Sequence, residues 1–215
     1  MIQRKRCVSR SSGFTLIEIA VVVLIIAVLA AILTPIVSAY FNQARIAKAQ
    51  ADTTVIGEAI SRYEKDTGRY PMFGAQAGSL FQDSTATVVR LEGPGNTPSE
   101  TVPTNWTKTS GITNTDCVAG CTFSLLSNFL ILNTAGVAIS SNLAKPFTWK
   151  GPYLDVQADP WGNKYLVNII HTKSSSTFAC FVISAGLNGQ MDTNFDISKG
   201  TAITPGVDDI IYRIR

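Results

Sequence analysis

The stretch "SSGFTLIEIAVVVLIIAVLAAILTPIV" (residues 11–37) decides how the rest of the chain is read. Residues 19–33 carry no polar side chain, and the wider run 14–37 is interrupted only by Thr15, Glu18 and Thr34. As a helix, that run rises roughly 36 Å at about 1.5 Å per residue, enough to cross a hydrocarbon core of ~30 Å. A carboxylate at its head is costly. Near mid-bilayer Glu18 would carry a penalty of about 2.5–3.5 kcal/mol, less at the interface. It needs a partner or a purpose.

The helical pattern does not stop at residue 37. Ala44, Ala47, Ala51, Val55, Ala59 and Tyr63 recur at spacings of three and four, with Ile56 and Ile60 beside them, while Arg45, Lys48, Asp52, Glu58, Arg62 and Lys65 take other positions. This predicts one amphipathic helix of about 50 residues starting at Phe14, roughly 75 Å long. Pro35 removes a backbone donor and should bend or loosen it. "DTGRYP" (residues 66–71) supplies Gly68 as a stop and a proline exit.

The chain has 215 residues, 15% of them charged, and a net charge of +3. That charge is local. Arg4, Lys5, Arg6 and Arg10 precede the apolar run; without them 14 bases face 15 acids. A basic leader before a spanning helix reads as positive-inside topology. No Lys/Arg stripe marks the body, so nucleic acid is not an expected partner.

Two readings of the N-terminus compete. In one, residues 4–10 and 19–33 are a secretory signal, cut after Ala39, and a soluble binding domain starts at Tyr40. In the other the helix is kept. Glu18 inside the apolar run and the continuing periodicity favour the second.

Gly13 followed by "FTLIE" (residues 14–18), after a short basic leader and before a long apolar helix, resembles the class III signal of type IV pilins and type II secretion pseudopilins. The resemblance implies that a prepilin peptidase cuts between Gly13 and Phe14 and methylates the new amine. Glu18 then becomes the fifth residue of the mature chain, the acidic position of the family. Its charge would pair with the Phe14 amine, first within a subunit and then across subunits, setting register as helices stack. Pro35 matches the family's kinked position.

Residues 74–120 are rich in Ser, Thr, Asn, Gly and Pro and read as surface loops with a short strand at 86–91. "TFSLLSNFLILN" (residues 122–133) has helical spacing. "KYLVNII" (164–170), "FACFVIS" (178–184) and "DIIYRI" (209–214) read as strands, with a turn at "DPWG" (159–162). The expected fold is α+β: a long N-terminal helix packed on a C-terminal antiparallel sheet. The expected organisation is a leader at 1–13, a membrane and assembly segment at 14–37, an amphipathic segment at 38–71, a loop-rich insertion at 72–148, and a sheet-bearing head at 149–215.

"GPYLDVQADPWGNKY" (residues 151–165) closely resembles the segment of the major pseudopilin of type II secretion that enters its sheet. The resemblance implies a structural calcium ion bound by the loops that follow, "ISAGLNGQMDTNFDI" (183–197) and "GVDDII" (206–211). The residues fit hard-cation chemistry. Asp192, Asn194 and Asp196 alternate in one loop, and Asp208 and Asp209 lie in the next. Calcium takes six to eight oxygens, carbonyls included. The expected ligands are Asp192, Asp208 and Asp209. Asn188 stands where the family often has Asp, and residues 72–145 exceed the matching part of a typical major pseudopilin.

Cys117 and Cys121 could close a small disulfide loop, an arrangement the sequence leaves open. Cys180, in an apolar strand-like run, reads as a buried thiol. His171 is the lone histidine, without a nucleophile motif near it in sequence, and reads as a satisfied strand residue. Trp106, Trp149 and Trp161 are scattered and read as packing residues. No catalytic residues are expected. The implied function is a structural filament subunit, foremost of the type II secretion pseudopilus, with a surface type IV pilin for adhesion, motility or DNA uptake as the alternative. Implied partners are further copies of the chain through their N-terminal helices, the prepilin peptidase, an inner-membrane assembly platform, minor pilins or pseudopilins, and membrane lipid. The implied location is the inner membrane, single-pass, with the head in the periplasm.

Overall fold

A computed structural model describes residues 13–71, 88–100, 106, 122–132, 149–155, 157–173 and 176–215. Cys117 and Cys121, and the disulfide expected of them, lie outside the described residues. The chain forms two compact units, Met1–Ala44 and Arg45–Arg215.

Helix α1 spans Leu16–Thr67 without interruption and carries Pro35 inside it. Two hydroxyls bracket that proline. Thr34 Oγ1 donates to Ala30 O and Ser38 Oγ to Thr34 O, both at 2.7 Å, so each hydroxyl is bonded back into its own helix turn rather than left bare on an apolar surface. Every residue of α1 up to Lys48 is exposed, and the apolar run is exposed all round. A helix apolar on every side, and long enough to cross a bilayer, needs lipid or other helices around it. At the other end, Gly68 adopts φ 74° and its N–H bonds Glu64 O at 2.7 Å, the left-handed stop expected of it.

In the second unit α1 buries Ile56, Ala59, Ile60 and Tyr63 as the spacing predicts, but not the rest of the predicted stripe. Ala51 and Val55 are exposed; Ala49, Thr53, Ile56, Gly57, Ile60, Tyr63 and Thr67 are buried with Ala59. The rest of the stripe is displaced because Thr53 and Gly57, which do not look like core positions, allow the helix to lie close to the sheet.

The remaining elements are β1 (Val88–Glu92), β2 (Ser99–Glu100), β3 (Thr122–Leu125), α2 (Leu126–Leu130), β4 (Leu166–Val167), a 3-10 turn (Ile169–Thr172), β5 (Phe181–Ser184), β6 (Gln190–Met191) and β7 (Ile210–Arg213). The main sheet has the order β3-β1-β4-β5-β7, and β2 pairs with β6. The architecture is α+β, as expected, but the sheet is mixed. β1 runs parallel to β3, and only the β1–β4, β4–β5 and β5–β7 pairs are antiparallel. Residues 122–125, expected as helix, are strand: their pairing with β1 outweighs local helical spacing, and the helix begins only at Leu126.

The core joins Ile56, Ile60 and Tyr63 of α1 to β1, β4, β5 and α2. Tyr63 meets the Phe129 ring edge-on at 6.3 Å and Tyr153 at 5.9 Å. Its phenol is pushed up to about 12 by burial. Each such fully buried large apolar side chain contributes about 1.5–3 kcal/mol. Trp106 is wholly buried, stacks edge-on against Phe181 and Phe195, and donates its indole N–H to Thr193 O at 2.7 Å. Trp149 donates to Phe129 O. Cys180 is a buried free thiol, its pKa raised by burial.

Candidate functional site: the helix head and the aspartate loops

Glu18 sits in a capping box. The Thr15 N–H and hydroxyl both donate to Glu18 Oε2, at 3.1 and 3.2 Å, and the Glu18 N–H returns a bond to Thr15 Oγ1 at 3.3 Å. This reciprocal pairing satisfies donors that a helix start otherwise leaves open. The sequence signal was available: Thr15 and Glu18 have the T-x-x-E spacing ahead of an apolar run. Both bonds fall on Oε2, so Oε1 has no partner among the described residues. A cut between Gly13 and Phe14 would leave the box whole, because the Thr15 N–H belongs to the peptide bond after Phe14. Phe14 is 82% exposed, and a Cβ on Gly13 would meet nothing within 4 Å, so the Gly13–Phe14 junction is sterically open.

The three expected aspartates come together. Asp209 Oδ2 accepts from the Asp192 N–H (3.0 Å), the Thr193 N–H (2.7 Å) and the Thr193 hydroxyl (2.6 Å). Asp208 Oδ2 accepts from the Asn188 N–H at 2.7 Å, and the Asn188 side-chain amide donates to Asp192 Oδ2 at 3.2 Å. The close approach depends on two glycines. A Cβ on Gly206 would fall 2.3 Å from Asp192 Cβ, and one on Gly186, at φ 61°, would fall 2.2 Å from Asp208 O. Burial pushes the Asp209 carboxyl up, against the hydrogen bonds from Thr193 and Asp192.

Two oxygens of this cluster, Asp208 Oδ1 and Asp209 Oδ1, are buried without a hydrogen-bond partner. Such orphans are uncommon and suit a cation in want of hard ligands. The three side chains are nonetheless not arrayed as a ready coordination shell, and no such group of three occurs among the described residues. Asp196 is turned elsewhere. Its Oδ1 lies 2.9 Å from His171 Nε2.

His171 lies in the 3-10 turn rather than on a strand. The chain between β4 and β5 turns at Asn168, whose side chain bonds Ala179 O, Phe195 O and the Phe181 N–H and so takes over ladder positions. His171 is fully buried between Phe178 and Phe195, with Nδ1 at 3.3 Å from Ser176 Oγ. The two ring nitrogens thus face a serine and an aspartate, and Ser176 is buried at 6% exposed. The contact ties together the 3-10 turn, Ser176 and the segment at Asp196.

The turn at residues 159–162 is built as its sequence predicts. Asp159 Oδ1 accepts from the Trp161 and Asn163 N–H groups, and Oδ2 from the Ser184 hydroxyl.

The prokaryotic N-terminal methylation motif family matches residues 8–34. The type II secretion system core protein G of Pseudomonas aeruginosa is 44% identical over 62 residues, which cover 29% of this chain and 44% of that protein. The Aeromonas hydrophila core protein G is 34% identical over 36% of this chain and 54% of its own length. The Escherichia coli core protein G is 25% identical over 90% of this chain and 94% of its own length. The chain thus spans about half the length of the first two relatives. No solved structure matches. The chain has a pilin-like α+β architecture and methylation motif, and in sequence it is similar to the type II secretion core protein G.

Proposed function

We propose that the chain is a structural subunit of a type II secretion pseudopilus. It is made as a precursor, held in the inner membrane by α1, cut before Phe14, and polymerised through its N-terminal helices. The observation that carries this reading is Glu18. It is a carboxylate at the start of an all-round apolar helix, held by its own turn through one oxygen only. A methylated Phe14 amine on a neighbouring subunit supplies the missing charge, and helix–helix contact replaces lipid contact along residues 14–37. The continuity of α1 through Ala39 favours a retained helix over release of a soluble domain at Tyr40.

The head takes calcium in this reading. Asp192, Asp208 and Asp209 hold the ion, backbone carbonyls complete its shell, and its charge compensates the two orphaned carboxylate oxygens. It would lock the loop at residues 186–192 to β7. The protein performs no covalent chemistry of its own.

The test is co-expression of the full chain with a prepilin peptidase and a secretion assembly platform. Sedimentable filaments of this chain are expected. Recovery only as membrane monomer or soluble protein would contradict the reading, and filaments displayed at the cell surface in wild-type cells would favour a surface pilin.

A further inference from the structure

Two surface features of the Arg45–Arg215 unit have no part in that account, and their chemistries are opposite. The first is a cavity of about 260 Å³ between α1 and the segment that precedes β4. Val55, 48% exposed, and Leu154 give it apolar walls. Of the charges at its rim, two cancel: Lys48 Nζ is 2.7 Å from Asp52, whose Oδ2 also accepts the Tyr165 hydroxyl at 2.9 Å. Asp155 is exposed and has no partner among the described residues. An apolar wall with one uncompensated carboxylate at the mouth suits a long cationic side chain, its stem on Val55 and Leu154 and its head at Asp155.

The second feature is a cluster of cations. Lys199 Nζ donates to Ser176 O, Arg213 Nη2 to Lys199 O, and Arg215 Nη1 to Thr172 O, so each is held by a carbonyl rather than by a side-chain carboxylate. Burial first, and then the Arg215 and Arg213 charges, lower the Lys199 pKa. Arg213, the exposed last residue of β7, lies between Tyr212 and Ile214, which both lie over Gly57 of α1. It therefore projects from the sheet face opposite α1.

We propose that these features meet between copies: Arg213 of one subunit enters the α1 cavity of the next and pairs with Asp155. The two patches are different surfaces on opposite faces, so the contact is heterologous. A heterologous contact does not close a two-fold dimer; repeated with a rotation that does not close a ring, it runs on as an open helical polymer. The inference rests on the filament reading and adds to it a head-to-head contact, independent of Glu18, that would set rotation between neighbours.

The test is a charge swap in the full chain, assembled as above, with the thermal midpoint of each detergent-solubilised variant as the folding control. Asp155→Arg and Arg213→Asp should each leave the midpoint within a few degrees of wild type and each lower sedimentable polymer by about tenfold. The double swap should restore most of it. Single variants that polymerise like wild type would overturn the contact while leaving the filament reading intact. Single losses without recovery in the double swap would also overturn it, and would direct attention to a cation from another protein in the cavity. A wild-type chain that fails to polymerise would remove both.

Discussion

Gly57 lies beneath the Tyr212 ring: a Cβ at that position would fall 2.3 Å from Tyr212 Cε1 and 2.4 Å from Cδ1. The missing side chain is what lets β7 rest on α1. Glycine within a helix costs about 1 kcal/mol relative to alanine, so an unhindered replacement there would be a gain. Overpacking of a core costs about 1–3 kcal/mol and should win. Gly57→Val, adding a branched side chain, is expected to destabilise the head by about 2 kcal/mol, read as a lower denaturation midpoint of the full chain in detergent. A midpoint at or above wild type would show that the Tyr212 ring moves aside freely.

Glu18 does two jobs that one pair of substitutions separates. Glutamine can keep the capping box with Thr15 while losing the charge. Alanine loses both, and frees the Thr15 N–H and hydroxyl. Glu18→Gln should therefore insert and fold like wild type yet polymerise poorly. Filament yields from Glu18→Gln equal to wild type would mean that only the cap matters.

Glu92 supplies the pH dependence. Burial pushes its carboxyl up, but hydrogen bonds and charge from Lys164, at 2.8 Å, and from Arg90 outweigh it, and the net shift is downward. A carboxylate whose folded pKa is depressed stabilises the fold above its unfolded value, and that stability is lost as pH falls through the folded one. The wild-type midpoint should drop on going from about pH 5 to pH 3, around and below the ordinary carboxylate range. Glu92→Gln should be less stable at neutral pH by about 1.5–3 kcal/mol, since it removes the carboxylate charge that Lys164 and Arg90 both bond, and should show a flatter acid limb. Parallel curves for the two proteins would remove Glu92 as the cause.

Calcium should raise the thermal midpoint of the wild-type head, and a chelator should reverse the effect. Asp208→Asn should abolish the calcium response. It removes a charge whose Oδ1 is orphaned, while an amide oxygen can still accept the Asn188 N–H. A midpoint indifferent to calcium and chelator would show that the aspartate cluster is held by its hydrogen bonds alone.

What was legible in the sequence follows from the range of the forces involved. α1 and its stop at Gly68 are local: an uninterrupted apolar run, a 3.6-residue period and a glycine with positive φ. The Asp159 turn is equally local. Ile56, Ala59, Ile60 and Tyr63 follow the helical period into the core, whereas burial of Thr53 and Gly57 in place of Ala51 and Val55 follows from close packing, which leaves no apolar pattern. The parallel β1–β3 pair was invisible for a similar reason, since pairing across about 30 intervening residues leaves no periodic trace. Residues 122–125 carry helical spacing yet follow their partner strand. The approach of Asp192 to Asp208 and Asp209 was anticipated by resemblance, whereas the divergence of Asp196 toward buried His171 could come only from tertiary packing. The Thr15–Glu18 box is local too, written in a T-x-x-E spacing ahead of the apolar run.

The measurement that bears most directly on the central claim is mass spectrometry of the mature N-terminus, on protein extracted from membranes of cells containing a prepilin peptidase. The account predicts a chain that begins at Phe14 with a methylated amine. A chain that begins at Tyr40 would contradict it, because the apolar half of α1 and Glu18 would both be gone.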